Sequence, residues 1–200
     1  MRKTYIKYSL ISLGFAILSN LIYPRYYFLT WNLFLAYIPF YISNIKKKNI
    51  FVDAFLAFVA LIFYPNAVYL FTDLIHISNL SFYKRGVKVV YLMNYSNWIK
   101  VSLIFLAVII SMKLSYLAIN NYAKKYRMNK ITKYAFYSVI SFLTGLAVFV
   151  GRFIRLNSWD LFIYPHRTFY TFIKQINTEN IKYILLFAFI QLFVIILEEE

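Results

Sequence analysis

Apolar and polar residues fall along this chain in long blocks, not in the short alternations of a water-soluble fold. Six blocks are predominantly apolar, covering about 8–22, 31–45, 51–70, 98–119, 134–151 and 181–197, with polar stretches between them. Crossing a hydrocarbon core of ~30 Å takes about 20 helical residues, with roughly 17 as a lower limit. The second block falls short of that limit unless helix continues beyond it, and the sixth is marginal. The third reaches it if helix continues through Pro65, because proline kinks a membrane helix without necessarily ending it. The pattern predicts an all-α fold, a polytopic transmembrane helical bundle of about six spans forming a single integral membrane domain over 1–200. No internal repeat, linker or low-complexity segment divides it. Met1-Arg2-Lys3 and the first block together look like a secretory signal, but the block ends in Tyr23-Pro24 without a small-x-small cleavage site. It is read as an uncleaved first span.

One stretch fits neither kind of block. Asn66-Ala67-Val68-Tyr69-Leu70-Phe71-Thr72-Asp73-Leu74-Ile75-His76 is too polar for a free-standing span and too apolar for a solvated loop. It predicts an interfacial or re-entrant helix near 66–80, and Gly86 to Tyr95 predicts a second short interfacial piece.

Composition sharpens the class. Of 200 residues 62% are hydrophobic and 14% charged, against about half and about a quarter in ordinary soluble domains. The net charge of +15 would suggest nucleic acid in a soluble protein. Here the 22 Lys and Arg lie mostly between apolar blocks, where they orient helices and meet anionic lipid, so the expected partner is the bilayer and not nucleic acid. The absence of cysteine excludes disulfides, thiol nucleophiles and thiolate metal sites. Abundant Phe, Tyr, Ile, Lys and Asn match the coding bias of an AT-rich bacterial genome, which places the expected home in a bacterial cytoplasmic membrane. Lys46-Lys47-Lys48 forms one basic connection, and Lys124, Lys125, Arg127, Lys130 and Lys133 form another. The positive-inside rule then puts both, with the N-terminus, on the cytoplasmic side. The split over all basic residues is narrower, 12 inside and 10 outside. With six spans, the first, third and fifth connections share the outer face.

Polar clusters stand at those three connections. Trp31-Asn32 opens the second block. Tyr64-Pro65-Asn66 leads to Asp73 and His76. Gly151-Arg152-Phe153-Ile154-Arg155-Leu156-Asn157-Ser158-Trp159-Asp160 follows the fifth, with Pro165-His166-Arg167 behind it. Asp73 and His76, three apart, share a helical face and suit an acid–base pair, with Asp160 as a further catalytic candidate. The other readings of the pair are a capping Asp beside a backbone-bonded His, or two of four metal ligands completed by Asp160 and His166. Arg152 and Arg155, at i and i+3, would hold phosphate or carboxylate, or snorkel onto lipid phosphates. Asn32, Asn66, Asn157 and His166 complete the candidate binding set, the asparagines equally suited to interhelical hydrogen bonds. Trp31, Trp98 and Trp159 are expected in one interfacial aromatic belt. No His-Glu-x-x-His, Gly-x-Ser-x-Gly, phosphate-binding loop or dinucleotide fingerprint is present, and no motif names a cofactor.

At these clusters the chain resembles the bacterial membrane family described as domain of unknown function 1361. The resemblance is carried by Trp31 to Pro39, Tyr64 to His76 and Gly151 to Asp160, and reaches over about residues 30–166. Tyr37 and Leu156 stand where that family's pattern has tryptophan, and Val68 where it has a second proline, which implies softer aromatic packing and a straighter Asn66 segment. The resemblance implies a multi-pass bacterial membrane protein and supplies no catalytic assignment. Three functions stay open: an accessory protein whose polar clusters hold helices together, a membrane-embedded enzyme or binder for a lipid-linked or anionic ligand, and a transporter. The last is disfavoured because no charge sits at the centre of a block.

Overall fold

The computed structural model describes residues 2–45, 49–86 and 88–199. The Lys46-Lys47-Lys48 connection, on which half of the orientation reading rests, lies outside the described residues. The chain forms an all-α helical bundle: α1 (Arg2–Ile22), α2 (Tyr27–Ser43), α3 (Ile50–Phe63), α4 (Pro65–Thr72), α5 (Tyr95–Lys125), α6 (Lys130–Phe149), α7 (Asp160–Ile163), α8 (Pro165–Gln175) and α9 (Ile181–Glu198). Three long helices start on the same device. Asn49, Asn94 and Asn129 accept from the backbone N–H three residues on, at 2.9, 3.2 and 2.9 Å. Such caps satisfy one of the donors that every helix start leaves open.

Five helical segments are long and apolar enough to cross a membrane: Lys3–Ile22, Ile50–Asn79, Tyr95–Lys125, Lys130–Ile154 and Ile181–Glu198. Helix α2, at 17 residues, is ~25 Å long. The second of the five includes the ambiguous stretch. Tyr64 keeps helical backbone angles, and Pro65 takes the first position of α4, where its missing N–H costs nothing. A 3-10 turn from Asp73 to Asn79 extends α4. The segment near 66–80 is therefore helical and buries Ala67, Val68 and Leu70 among α2, α5 and α6. Gly86 to Tyr95 is not a helical interfacial piece. Val89–Tyr91 pairs antiparallel with Tyr83–Arg85 as a two-stranded hairpin, since Val89-Val90-Tyr91 is a β-branched and aromatic run.

Helix α5 runs through the centre, with Leu103, Ile104, Ala107 and Leu114 packed against α2 and α4. A second cluster, Val68, Leu146, Val148 and Ile184, joins α4, α6 and α9. The α6–α9 pair is the most extensive. It closes at Gly145, where a Cβ would stand 2.8 Å from the Ala188 amide nitrogen. Polar stitches cross the interior: Ser111 Oγ donates to the Ala67 carbonyl at 3.0 Å, and Gln191 Nε2 donates to Tyr64 Oη. Outward, the helices carry large exposed apolar side chains such as Leu13, Leu21, Phe51, Phe55 and Phe189. That arrangement is costly in water and free of penalty in lipid.

Charges gather in layers at the bundle's two ends. At one end Lys125 pairs with Asp53 at 3.1 Å and Lys133 with Glu199, while Lys113 reaches Glu198 from deeper in α5. At the other, Arg152 pairs with Asp73 at 2.5 Å. Asp53 and Asp73 are 20 positions apart on one nearly continuous helix, or ~30 Å at 1.5 Å per residue.

Candidate functional site

The site is built where α4 ends, α2 begins and α6 runs out. The α6 ladder widens over Val150–Ile154 into a π turn, a rare geometry that re-aims side chains and recurs at functional positions. Arg155 then takes a left-handed conformation, φ 62°, and stops the helix. Gly151 lies against the Tyr69 ring, so close that a Cβ would sit 3.3 Å from Cε2. Without that side chain the next residue, Arg152, can lie over the ring with its guanidinium 4.3 Å from the centroid, a cation–π distance.

Asp73 is the hub. It is 2% exposed. Its Oδ1 accepts from Arg152 Nη2 at 2.5 Å, and its Oδ2 accepts from Asn32 Nδ2 at 3.1 Å. Arg152 Nε donates to Thr72 Oγ1 at 2.7 Å, and Nη2 reaches the same hydroxyl. One residue from each of the three sequence clusters thus meets at a single buried carboxylate, which is paired and hydrogen-bonded as a buried charge must be. A second stitch joins the last two clusters, with Asn66 Nδ2 donating to Ser158 Oγ at 2.9 Å. His76 Nε2 lies 3.9 Å from Asp73 Oδ1 and packs on Phe28, ring centroids 4.9 Å apart. That separation is electrostatic; a hydrogen bond would be shorter. Each Asp73 oxygen thus accepts one hydrogen bond. Arg152 keeps one group unused: Nη1 has no hydrogen-bond partner among the described residues.

Beside this network opens a cavity of ≈690 Å³. Asn32, Asn66, Asp73, His76, Arg152 and Asn157 line its polar end. Phe58, Leu61, Phe142, Leu146, Phe169 and Phe172 line the rest. Phe58, Leu61, Pro65, Tyr69, Asp73 and His76 all face it from α3, α4 and the turn beyond. They are spaced 3, 4, 4, 4 and 3 residues apart, which is 18 residues in five steps and the period of one helical face. Along that face the wall changes from aromatic and aliphatic to polar.

Not every expected residue joins. Arg155 is exposed and off the cavity wall, because α6 ends before it and the i, i+3 pairing with Arg152 does not form. Asp160 accepts from the Asn157 backbone N–H at 2.6 Å and closes a turn. His166 is exposed on α8. Among the described residues no three His, Asp or Glu are grouped to hold a metal ion, so the four-ligand reading of Asp73, His76, Asp160 and His166 does not assemble. Trp31 and Trp159 do meet, ring centroids 6.5 Å apart. The sequence reading missed Tyr69, one tyrosine among 20. It also missed Thr72 and helix α8, whose Phe169, Phe172 and Ile173, with Ile176 just past its end, recur at helical spacing and line the cavity.

A family model described as protein of unknown function (DUF1361) matches residues 31–194, and the chain belongs to that family. Among curated proteins and among solved structures, nothing matches the chain.

Proposed function

We propose that this member of the DUF1361 family is a multi-pass membrane protein whose cavity holds an amphiphile with an anionic headgroup. One observation carries the reading: three polar stretches far apart in sequence converge on the wall of a single cavity whose remaining lining is mostly apolar. A site for a wholly polar solute has no use for Phe58, Phe142 and Phe172 in its wall. A site for a plain hydrocarbon has no use for a partly buried arginine on its wall. Arg152, held by Asp73 and Thr72, presents its remaining N–H groups to an anion, with His76 beside it. The same hydrogen bonds fasten α2, α4 and α6 together, so the structural role expected of the clusters and the binding role coexist. Holding a ligand is favoured over acid–base work by Asp73 and His76, because Asp73 is occupied on both oxygens.

In this reading the five long segments and α2 cross the bilayer. The Lys125–Asp53 layer faces the cytoplasm with the N-terminus, and the cavity lies toward the outer face, with Trp31 and Trp159 on its wall. The basic residues after α5 support that orientation.

Headgroup selectivity tests the proposal on the wild-type protein. Purified in dodecyl maltoside, it is titrated with dodecyl phosphate and with dodecyltrimethylammonium while tryptophan emission is followed. Saturable binding of the phosphate that weakens as salt rises, with none of the cation, is the expected result. Equal binding of both, or of neither, refutes it. Single cysteines replacing Lys84, Lys130 and Asp160 in the cysteine-free chain test orientation. In intact cells an impermeant reagent is expected to label the first and last and to spare Lys130→Cys.

A further inference from the structure

Below the cavity the same helical wall continues into a second, smaller hollow. It measures ≈260 Å³, and Ala57, Phe58, Leu61, Ile119, Phe136 and Ile140 are among its lining residues. Phe58 and Leu61 line both spaces, so the two are neighbours through one pair of side chains. From Asp73 to Ala57 the wall descends 16 positions, ~24 Å of helix, most of the ~30 Å depth of a bilayer core. The polarity falls along the way: guanidinium, carboxylate and amides at the top, Pro65 and Leu61 midway, alanine, isoleucine and phenylalanine at the bottom. Tyr64 also borders the lower hollow, but its hydroxyl is bonded to Gln191. Phe58 meets Phe162 of α7 edge-on, centroids 6.4 Å apart.

We infer that the ligand of this site is a single-chain anionic lipid whose tail passes Phe58 and fills the lower hollow between α2, α3, α5 and α6. The inference rests on the reading of the upper cavity as an amphiphile site and adds the tail's path and minimum length. A short tail is accommodated by the upper cavity alone. Only a tail long enough to pass Leu61 reaches Ala57 and Ile140, and the two spaces share Phe58 and Leu61 on one helix face, which ties the lower occupant to the molecule held above. The protein is therefore a discriminator of chain length, with affinity set in two steps by two compartments.

Octyl, dodecyl and hexadecyl phosphate, titrated against the full chain in detergent, test this. The alkyl maltosides of equal length provide the reference for partition into micelles. In the wild type, affinity corrected for partition rises between dodecyl and hexadecyl. Ala57→Trp fills the hollow from α3, and Ile140→Trp fills it independently from α6. Each is expected to weaken hexadecyl phosphate by at least about tenfold, equivalent to ~1.4 kcal/mol, and to leave octyl phosphate within about twofold, equivalent to ~0.4 kcal/mol. Retained octyl phosphate binding shows that the variants are folded, and having two variants on opposite walls guards against one failing to fold. If octyl and hexadecyl phosphate bind the wild type equally, or both variants leave hexadecyl phosphate unaffected, the tail path is wrong while the headgroup site stands. Failure of every alkyl phosphate to bind the wild type removes the cavity reading and this inference with it. Displacement of hexadecyl phosphate by dioleoyl phosphatidic acid at equal concentration overturns the single-chain assignment.

Discussion

Removing Arg152 should cost this protein far more than removing Asp73, although the two form one ion pair. The asymmetry follows from burial. Asp73's side chain is 3% exposed, whereas Arg152's is 22% exposed. Arg152→Met strips the carboxylate of its guanidinium partner and leaves Asn32 as its only side-chain hydrogen bond, with His76 3.9 Å away, a loss of about 3–5 kcal/mol for a buried charge stripped of its partner. Asp73→Asn keeps the shape and leaves a guanidinium that can turn toward water or a headgroup; after discounting for that exposure its cost is about 1–2 kcal/mol. In the double variant no charge remains unpaired, so its cost should fall below the sum of the singles by about 2 kcal/mol, within the usual range for groups in direct contact. Reversible unfolding in mixed micelles of dodecyl maltoside and dodecyl sulfate, followed by far-ultraviolet dichroism, measures all three. Strict additivity would refute the reading of the pair as one buried unit. So would an Asp73→Asn variant as damaged as Arg152→Met.

Two further substitutions probe local geometry. Gly145→Ala drives a methyl group into the α9 backbone at Ala188 and should destabilise the bundle by about 1–3 kcal/mol; wild-type stability in the same titration would show that α6 and α9 are not packed there as described. Arg155→Gly relieves a left-handed residue and should raise stability by about 0.5–1 kcal/mol with dodecyl phosphate binding unchanged, whereas lost binding would return Arg155 to the site.

The apolar blocks made the helices legible because hydrocarbon length is a coarse, robust constraint. The run through Pro65 was readable for the same reason, since a kink does not shorten a span. Where local rules overrode the blocks, legibility failed. Val89-Val90-Tyr91 looks apolar enough for an interfacial piece, yet pairing with Tyr83–Arg85 satisfies its backbone better in a strand. Arg152 and Arg155 look like neighbours at i and i+3, but a π turn and a left-handed residue separate them, and neither feature has a signature in the residues themselves. The clusters could be assigned to one face by counting crossings, while their meeting at Asp73 depends on how α2, α4 and α6 pack. One overlooked signal was present. The 58, 61, 65, 69, 73, 76 stripe keeps helical period across a proline, and it would have singled out Tyr69 among all the tyrosines.

The two charged layers give the bundle a fixed gauge. If the bundle spans a bilayer as proposed, hydrocarbon can slide neither past Asp53 and Lys125 nor past Asp73 and Arg152 without burying charge, and α2 and α9, at 17 and 18 residues, have little slack to offer. In that setting a bilayer thicker than ~30 Å would have to thin locally or force the helices upright, at fractions of a kcal/mol for each ångström of mismatch. The depth at which the cavity mouth meets the headgroup region would then shift with the acyl composition of the surrounding membrane. Occupancy of the site would follow the thickness of the bilayer as well as the concentration of ligand within it.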